Sequence, residues 1–408
     1  LKVLIISPVS IIENMAGPSI RYYNFYLELC KEHEVIILLP SSSKNTIINS
    51  EKLSNKTIKK WSNWCDVIIT QGLTIFNYPI IKKTKKPLVI DLYDPFILEN
   101  LEIRKDNVLG NTQYELDLHI LKTQLFLGDY FICSNPRQLH YWAGSLSILG
   151  VINPTNYLNS PKLTDWIDLV PFGIPNTEPI QNFHGIRNSS TNISKDDFVV
   201  VWGGGVWEWL DISIVIEAFA IIKNQDLRIK MYIMGGRNNN KLHQLIQKYE
   251  VQESVILGEW IAYEKRQNYL IDADLGIIAH YNNWETEFSH RTRVLDYIWC
   301  NVPVISTGGD YITELIEKEG FGLSYGSQKS DILAELLLKL NKNRDVLKEM
   351  KRNQNKIIDN LRWVKVIQPL NQFCKAPVKR KKTSMPIYTK LFRPILSLIK
   401  KLRHKRRV

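Results

Sequence analysis

Residues Glu285 to Asp310 read ETEFSHRTRVLDYIWCNVPVISTGGD. The spacing predicts a helix capped by Ser289, with Val294, Leu295, Ile298, Trp299 and Val302 recurring at helical intervals. Asn301 ends it and Pro303 prevents its continuation. Val302–Ser306 then reads as a short buried strand, and Gly308-Gly309 turns the chain sharply. On the helix, Arg293 and Asp296 share one polar edge with Ser289, and Arg291 lies just before them. Arginines and free backbone N–H groups at a helix start suit phosphates, and a carboxylate on the same edge suits ribose hydroxyls. An amphipathic helix with a solvent-facing Arg–Asp pair is the plainer alternative.

Working outward, the same alternation fills the chain. Val3–Ser7, Val35–Leu39, Asp66–Thr70 and Leu88–Asp91 read as strands, separated by helices such as Gly17–Lys31, Gln113–Leu127 and Pro136–Leu149. A polar stretch from Asn176 to Lys195 follows, and the pattern restarts. Phe198–Trp202 leads into Gly203-Gly204-Gly205 and a helix over Ile212–Lys223, and Arg228–Met234, Ser254–Leu257 and Leu275–Ala279 are further strands. Strands regularly separated by helices imply parallel sheets covered on both faces. The expected architecture is therefore α/β, with two Rossmann-like doubly wound domains facing each other across a cleft, ligand loops lying at the carboxyl ends of the strands. The expected boundaries are an N-terminal domain over 1–175, a linker over 176–195 and a C-terminal domain over 196–358. A helix over 359–376 crosses back to the first domain, and a basic amphipathic tail occupies 377–408.

Bulk composition agrees with a globular protein: 44% of the 408 residues are hydrophobic and 23% charged. No apolar run of eighteen or so residues predicts a membrane span. Five scattered cysteines without a Cys-x-x-Cys pair suggest reduced thiols in a cytoplasmic protein. The eight histidines form no ligand-spaced cluster, so no metal site is expected. Net charge is +12, but Lys379 to Val408 holds twelve Lys and Arg and no Asp or Glu. Without that segment the remaining 41 basic residues match the 41 acidic ones. In the tail, Tyr388, Leu391, Phe392, Ile395, Leu398, Ile399 and Leu402 fall on one helical face. Such a cationic, amphipathic segment suits an anionic membrane surface. Nucleic acid is not the expected partner, because the apolar face would have no purpose there.

Two glycine loops carry the remaining signal. Gly17-Pro18-Ser19-Ile-Arg21 follows the first strand and opens a helix, which favours an anion. Gly203-Gly204-Gly205 is suited to cradling a diphosphate, although it lacks the third spaced glycine of a dinucleotide fingerprint. Asp91 and Asp94, with Glu99 close behind, end a first-domain strand at the cleft, where carboxylates can bind ligand hydroxyls or assist their deprotonation. An ordinary Asp-Pro turn is the alternative for Asp94-Pro95.

The segment from Asp296 through Pro303 resembles the donor-binding segment of family 4 glycosyltransferases, retaining enzymes of the GT-B fold, and the resemblance spans residues 1 to 376. That family has two glutamates separated by seven residues. Here Asp296 stands for the second and Phe288 occupies the position of the first, which is displaced to Glu287 or Glu285; the variant Glu-Thr-x-Phe-Ser-x-Arg-Thr-Arg points to Glu285. The usual Arg and Lys that clamp the diphosphate are replaced by Gly205 and Leu210. The resemblance thus implies Glu285 and Asp94 as catalytic residues. Gly17, Gly204, Gly205, Arg237, Arg291, Arg293 and Asp296 would hold the donor, and Arg21 and Asp91 the acceptor. No metal or other cofactor is implied. The implied reaction moves a sugar from a nucleoside-diphosphate sugar to a glycan or lipid-linked saccharide, with retention, during surface polysaccharide assembly. The implied location is cytoplasmic, at the inner face of the membrane. A sugar-nucleotide epimerase of the same fold and a non-catalytic scaffold are the competing readings.

Overall fold

Hydrophobic runs four to six residues long, too short for buried helices and rich in Ile and Val, form the centre of two sheets. The computed structural model describes residues 1–41, 48–188, 191–326 and 329–382. In the first sheet the strands are β1 (Lys2–Ile6), β2 (Glu34–Leu39), β3 (Ser50–Lys52), β4 (Val67–Thr70), β5 (Leu88–Asp91), β6 (Tyr130–Cys133) and β7 (Ile167–Leu169). The second contains β8 (Phe198–Trp202), β9 (Ile229–Ile233), β10 (Val255–Leu257), β11 (Leu275–Ile278), β12 (Val304–Ser306) and β13 (Gly322–Ser324). The spatial orders are β3-β2-β1-β4-β5-β6-β7 and β10-β9-β8-β11-β12-β13. Pairing is parallel throughout, with Val3 opposite Val35 and Val67, and Val200 opposite Met231 and Leu275. Both orders reverse direction, next to β1 and next to β8. The loops leaving these two strands therefore flank the crevice where such sheets bind ligands.

Helices cover both faces, and the central strands are buried on each side. This is the GT-B architecture, two Rossmann-like parallel-sheet domains. Residues 181–188 do not hang free between them. Asp272 accepts hydrogen bonds from the Ile186 and Arg187 N–H groups at 2.8 and 3.1 Å, and Arg187 pairs with Asp274. This polar stretch is therefore docked on the second domain.

The chain returns to the first domain after Ile358. Trp363, fully buried, packs against Phe25 and Phe172, and Phe373 stacks on Tyr130 with ring centroids 4.2 Å apart. Beyond that helix, Asp129 binds the Lys379 ammonium at 3.1 Å, the Arg380 N–H at 2.9 Å and the Lys382 ammonium. Arg380 lies 3.8 Å from the Trp166 ring. Lys379, Arg380 and Lys382, the first basic residues of the expected membrane tail, are thus held against the body by Asp129. Its apolar face, Tyr388 to Leu402, lies outside the described residues. Among the described residues no helix is long and apolar enough to cross a membrane.

Candidate functional site in the interdomain cleft

The connection Trp284 to Thr292 is built differently from the expected single capped helix. A short helix, Trp284–Phe288, is capped by Asn283, and a second begins at Thr292. Ser289 ends the first helix, its hydroxyl donating to the Thr286 carbonyl at 3.1 Å, and does not cap the second. The reason is Arg291, which turns back to form a buried two-pronged pair with Glu285 at 2.9 and 2.7 Å. Two charges held in a buried fork cost more to separate than one N-cap contributes. The second helix closes as expected, with Asn301 left-handed at φ 54°.

This bend presses the short helix onto the first domain. Asn135 and Gln138 donate to the carbonyls of Ser289 and Phe288 at 3.1 and 2.8 Å, and Arg137 reaches the Gly309 carbonyl at 2.7 Å. Glu285, Ser289 and His290 consequently face Gly17, Tyr93 and Asp94 across a cavity of about 360 Å³. Gly17 is required there, because a Cβ would sit 2.9 Å from the Tyr93 hydroxyl.

Arg293 lines the same cavity. One guanidinium nitrogen donates to the Gly205 carbonyl at 2.6 Å, the group lies 4.6 Å from the Trp202 ring, and Nη1 is buried without a partner. Burial pulls this guanidinium down to about 10. The Gly203-Gly204-Gly205 turn beneath it is held by the Tyr297 hydroxyl, which accepts from the Gly203 N–H at 2.8 Å, and Gly204 has φ +118°. An unpaired, desolvated cation over a bare glycine turn is chemically an anion site. No side chain caps the helix Gly17–Leu29, so its positive end also faces the cavity.

Asp296 leaves its expected neighbour Arg293 and pairs with Arg266 at 2.8 Å. Arg266 lies between the rings of Tyr263 and Trp299, at 3.7 and 4.4 Å. Asp296, Gly204, Gly235, Trp260 and Ile261 line a smaller cavity of about 100 Å³. A carboxylate beside apolar and aromatic walls can accept ribose hydroxyls while a base packs against the walls.

Opposite Arg293 the first domain contributes acid. Asp94 and Glu99 are hydrogen-bonded to each other and lie close to Glu285. Burial holds Asp94 up to about 6, and burial with the neighbouring Asp94 holds Glu99 well above the carboxylate range. The pair therefore retains a proton near neutrality. His290, whose two ring nitrogens are buried without partners, is kept neutral by burial and by Arg21, down to about 3.

Four expected ligand-binding residues, Arg21, Asp91, Arg237 and Arg291, are instead paired within the protein. The Arg21 and Asp91 side chains are each 0% exposed and form a two-pronged pair at 2.8 and 2.9 Å, with Arg21 also donating to the Val170 carbonyl. They lock β5 to the first helix, with Asp91 also bordering a cavity of the first domain. Arg237 is 59% exposed and pairs with Glu259 at the surface, so its guanidinium does not line the cavities above. Arg291 is committed to Glu285, although its Nε remains buried without a partner. His290 and Arg266 were missed. His290 lies within the quoted stretch as a titratable residue between a turn and a helix start, but Arg266 has no signal of its own. Among the described residues no group of three or more His, Cys, Asp or Glu is placed to hold a metal.

Comparison with known proteins adds to this geometry. Residues 186–357 match the family described as glycosyl transferases group 1. No curated protein sequence matches the chain. Among solved structures, the sucrose-phosphate synthase of Thermosynechococcus elongatus superposes with a TM-score of 0.69 at 15% identity, covering 92% of this chain and 98% of that one. Anabaena HepE, solved with UDP and glucose, gives 0.68 at 13% identity, covering 92% and 99%. WaaG, a glycosyltransferase involved in lipopolysaccharide biosynthesis, gives 0.66 at 13% identity, covering 92% and 100%. At such identities the similarity establishes the shared GT-B fold, and the match to the group 1 glycosyl transferases covers residues 186–357, in the second half of the chain.

Proposed function

We propose that this protein transfers a sugar from a nucleoside-diphosphate sugar to a hydroxyl of a glycan or lipid-linked saccharide, with retention of configuration. The observation that carries the proposal is Arg293, a desolvated cation with an unpartnered nitrogen beside a bare glycine turn. The diphosphate would lie between Arg293, Gly204 and Gly205 on one side and the helix start at Gly17 on the other. Asp296 would accept the ribose hydroxyls, and the transferred sugar would face Glu285, His290 and Asp94. Preorganised charge of this kind stabilises a leaving diphosphate as it develops, without a further nucleophile. The leaving oxygen takes the acceptor proton on the same face of the sugar, and the Asp94–Glu99 pair positions the incoming hydroxyl. The reading assigns the phosphate charge to protein groups and requires no metal. Surface polysaccharide assembly at the inner face of the membrane fits a basic C-terminal segment, with residues 383–408 making the lipid contact. Titration of UDP, GDP, dTDP and ADP tests the donor site directly. One nucleotide should bind to the wild type and bind at least tenfold more weakly to Arg293→Ala; equal binding would remove the proposal's basis.

A further inference from the structure

A second cavity of about 510 Å³ opens in the first domain, at the carboxyl ends of β1, β4 and β5. Tyr93, Asp94 and Glu99 line both this cavity and the cleft, so the two meet at the carboxyl pair. Its walls include Tyr78, Phe96 and Trp142. Three buried polar atoms along it have no partner: Gln71 Oε1, Thr74 Oγ1 and Gln124 Nε2. Thr74 and Gln124 are 3% and 1% exposed. The Gln124 amide is fixed, because its Oε1 accepts the Gly72 N–H at 3.0 Å and Nε2 remains as donor. A hydroxyl-rich ligand that reaches all three supplies the hydrogen bonds these buried groups lack. Among the described residues lining this cavity there is no Lys, Arg or His, whereas Asp94 and Glu99 stand at its inner end.

Building on the donor-site reading above, we propose that this cavity holds the sugar unit of the acceptor and selects against one bearing an anionic group. Neutral or amine-bearing sugars meet an amide donor, an amide acceptor and a hydroxyl over aromatic walls. A uronate or phosphate would face these carboxyl groups with no cation in the cavity's described lining, Arg291 lying on the cleft side and already paired with Glu285.

The full-length protein, with and without the nucleoside diphosphates, is probed by saturation-transfer NMR. The probes are methyl glycosides of neutral hexoses, N-acetylhexosamines and hexosamines, methyl uronides and hexose 6-phosphates. At least one neutral or amino glycoside should bind, and its uronide or phosphate counterpart about tenfold more weakly. Thr74→Val, which preserves shape, and Gln124→Leu should each weaken the glycoside about fivefold while leaving nucleotide affinity within twofold. Anionic sugars binding as well as neutral ones, variants without effect, or no glycoside binding at all would each overturn the inference. Nucleotide binding in the same samples keeps the two readings separate. Nucleotide retained with glycosides lost sinks this inference alone, and nucleotide lost sinks the donor site with it.

Discussion

Replacing Arg293 by Ala should barely change the stability of the free protein while removing most of its affinity for a diphosphate. Burial pulls this guanidinium down to about 10 from 12.5. A displacement of that size corresponds to a cost of about 3 kcal/mol for keeping the cation in the empty cleft. For a base whose folded value is depressed, the cost is fully present below the folded value and fades as pH rises through it, so it applies in full at pH 7. Truncation removes that cost. It also removes a charge-assisted hydrogen bond to the Gly205 carbonyl worth about 1.5–3 kcal/mol and the contact with Trp202. The opposing terms nearly cancel, and the melting temperature should move by no more than about 2 °C. With diphosphate bound, only the loss remains, and affinity should fall about 10- to 100-fold. Differential scanning fluorimetry with and without nucleotide reads both quantities. A large drop in the free protein's melting temperature, with the nucleotide response intact, would show Arg293 to be a structural strut.

Four further outcomes follow from named contacts. Burial holds the Asp94 carboxyl up to about 6, with Glu99, Glu285, Asp91 and Arg291 around it. Its ionisation therefore costs stability above pH 6, a cost relieved as pH falls toward 4, and Asp94→Asn should stabilise at pH 7.5 by roughly 1–3 kcal/mol, with the gain shrinking on acidification; a pH-independent change in melting would contradict this. His290→Ala should leave folding intact, because both ring nitrogens lack partners, yet lower kcat about tenfold, with partial recovery in His290→Asn; a folding defect with normal turnover would oppose that role. Arg237→Ala should change nucleotide affinity less than about twofold, since its guanidinium forms an exposed surface pair. Deleting residues 383–408 should abolish co-sedimentation with anionic liposomes and spare nucleotide binding, and unchanged co-sedimentation would place the membrane contact elsewhere.

The sheets were readable because their strands are dense runs of Ile and Val, and the restart at Phe198 separates the two halves. The edge strand Ser50–Lys52 escaped notice because it is polar, and Gly322–Ser324 because three residues carry no periodicity. The site was legible only where one local stretch contains it. Glycines 17, 204 and 205 and Arg293 line the cleft and its flanking cavity or border them, from positions marked by their own loops. The pairing of Arg21 with Asp91 was not legible, since it depends on two elements seventy positions apart being brought together by the sheet. The same holds for Arg266, whose partner Asp296 lies thirty residues later. Local spacing also mistook Ser289 for a cap, because an N-cap pattern does not reveal that Arg291 is drawn back to Glu285. Composition located the tail's charge but not the use of Lys379, Arg380 and Lys382 to neutralise Asp129.

The most direct test of glycosyl transfer is nucleoside diphosphate release from a panel of nucleotide sugars, in EDTA, with and without saccharide acceptors. The account predicts release from one donor that depends strongly on an acceptor hydroxyl and yields a product of retained configuration. Interconversion of the donor sugar without acceptor would identify an epimerase, and absence of turnover despite nucleotide binding would identify a scaffold; either result would contradict it.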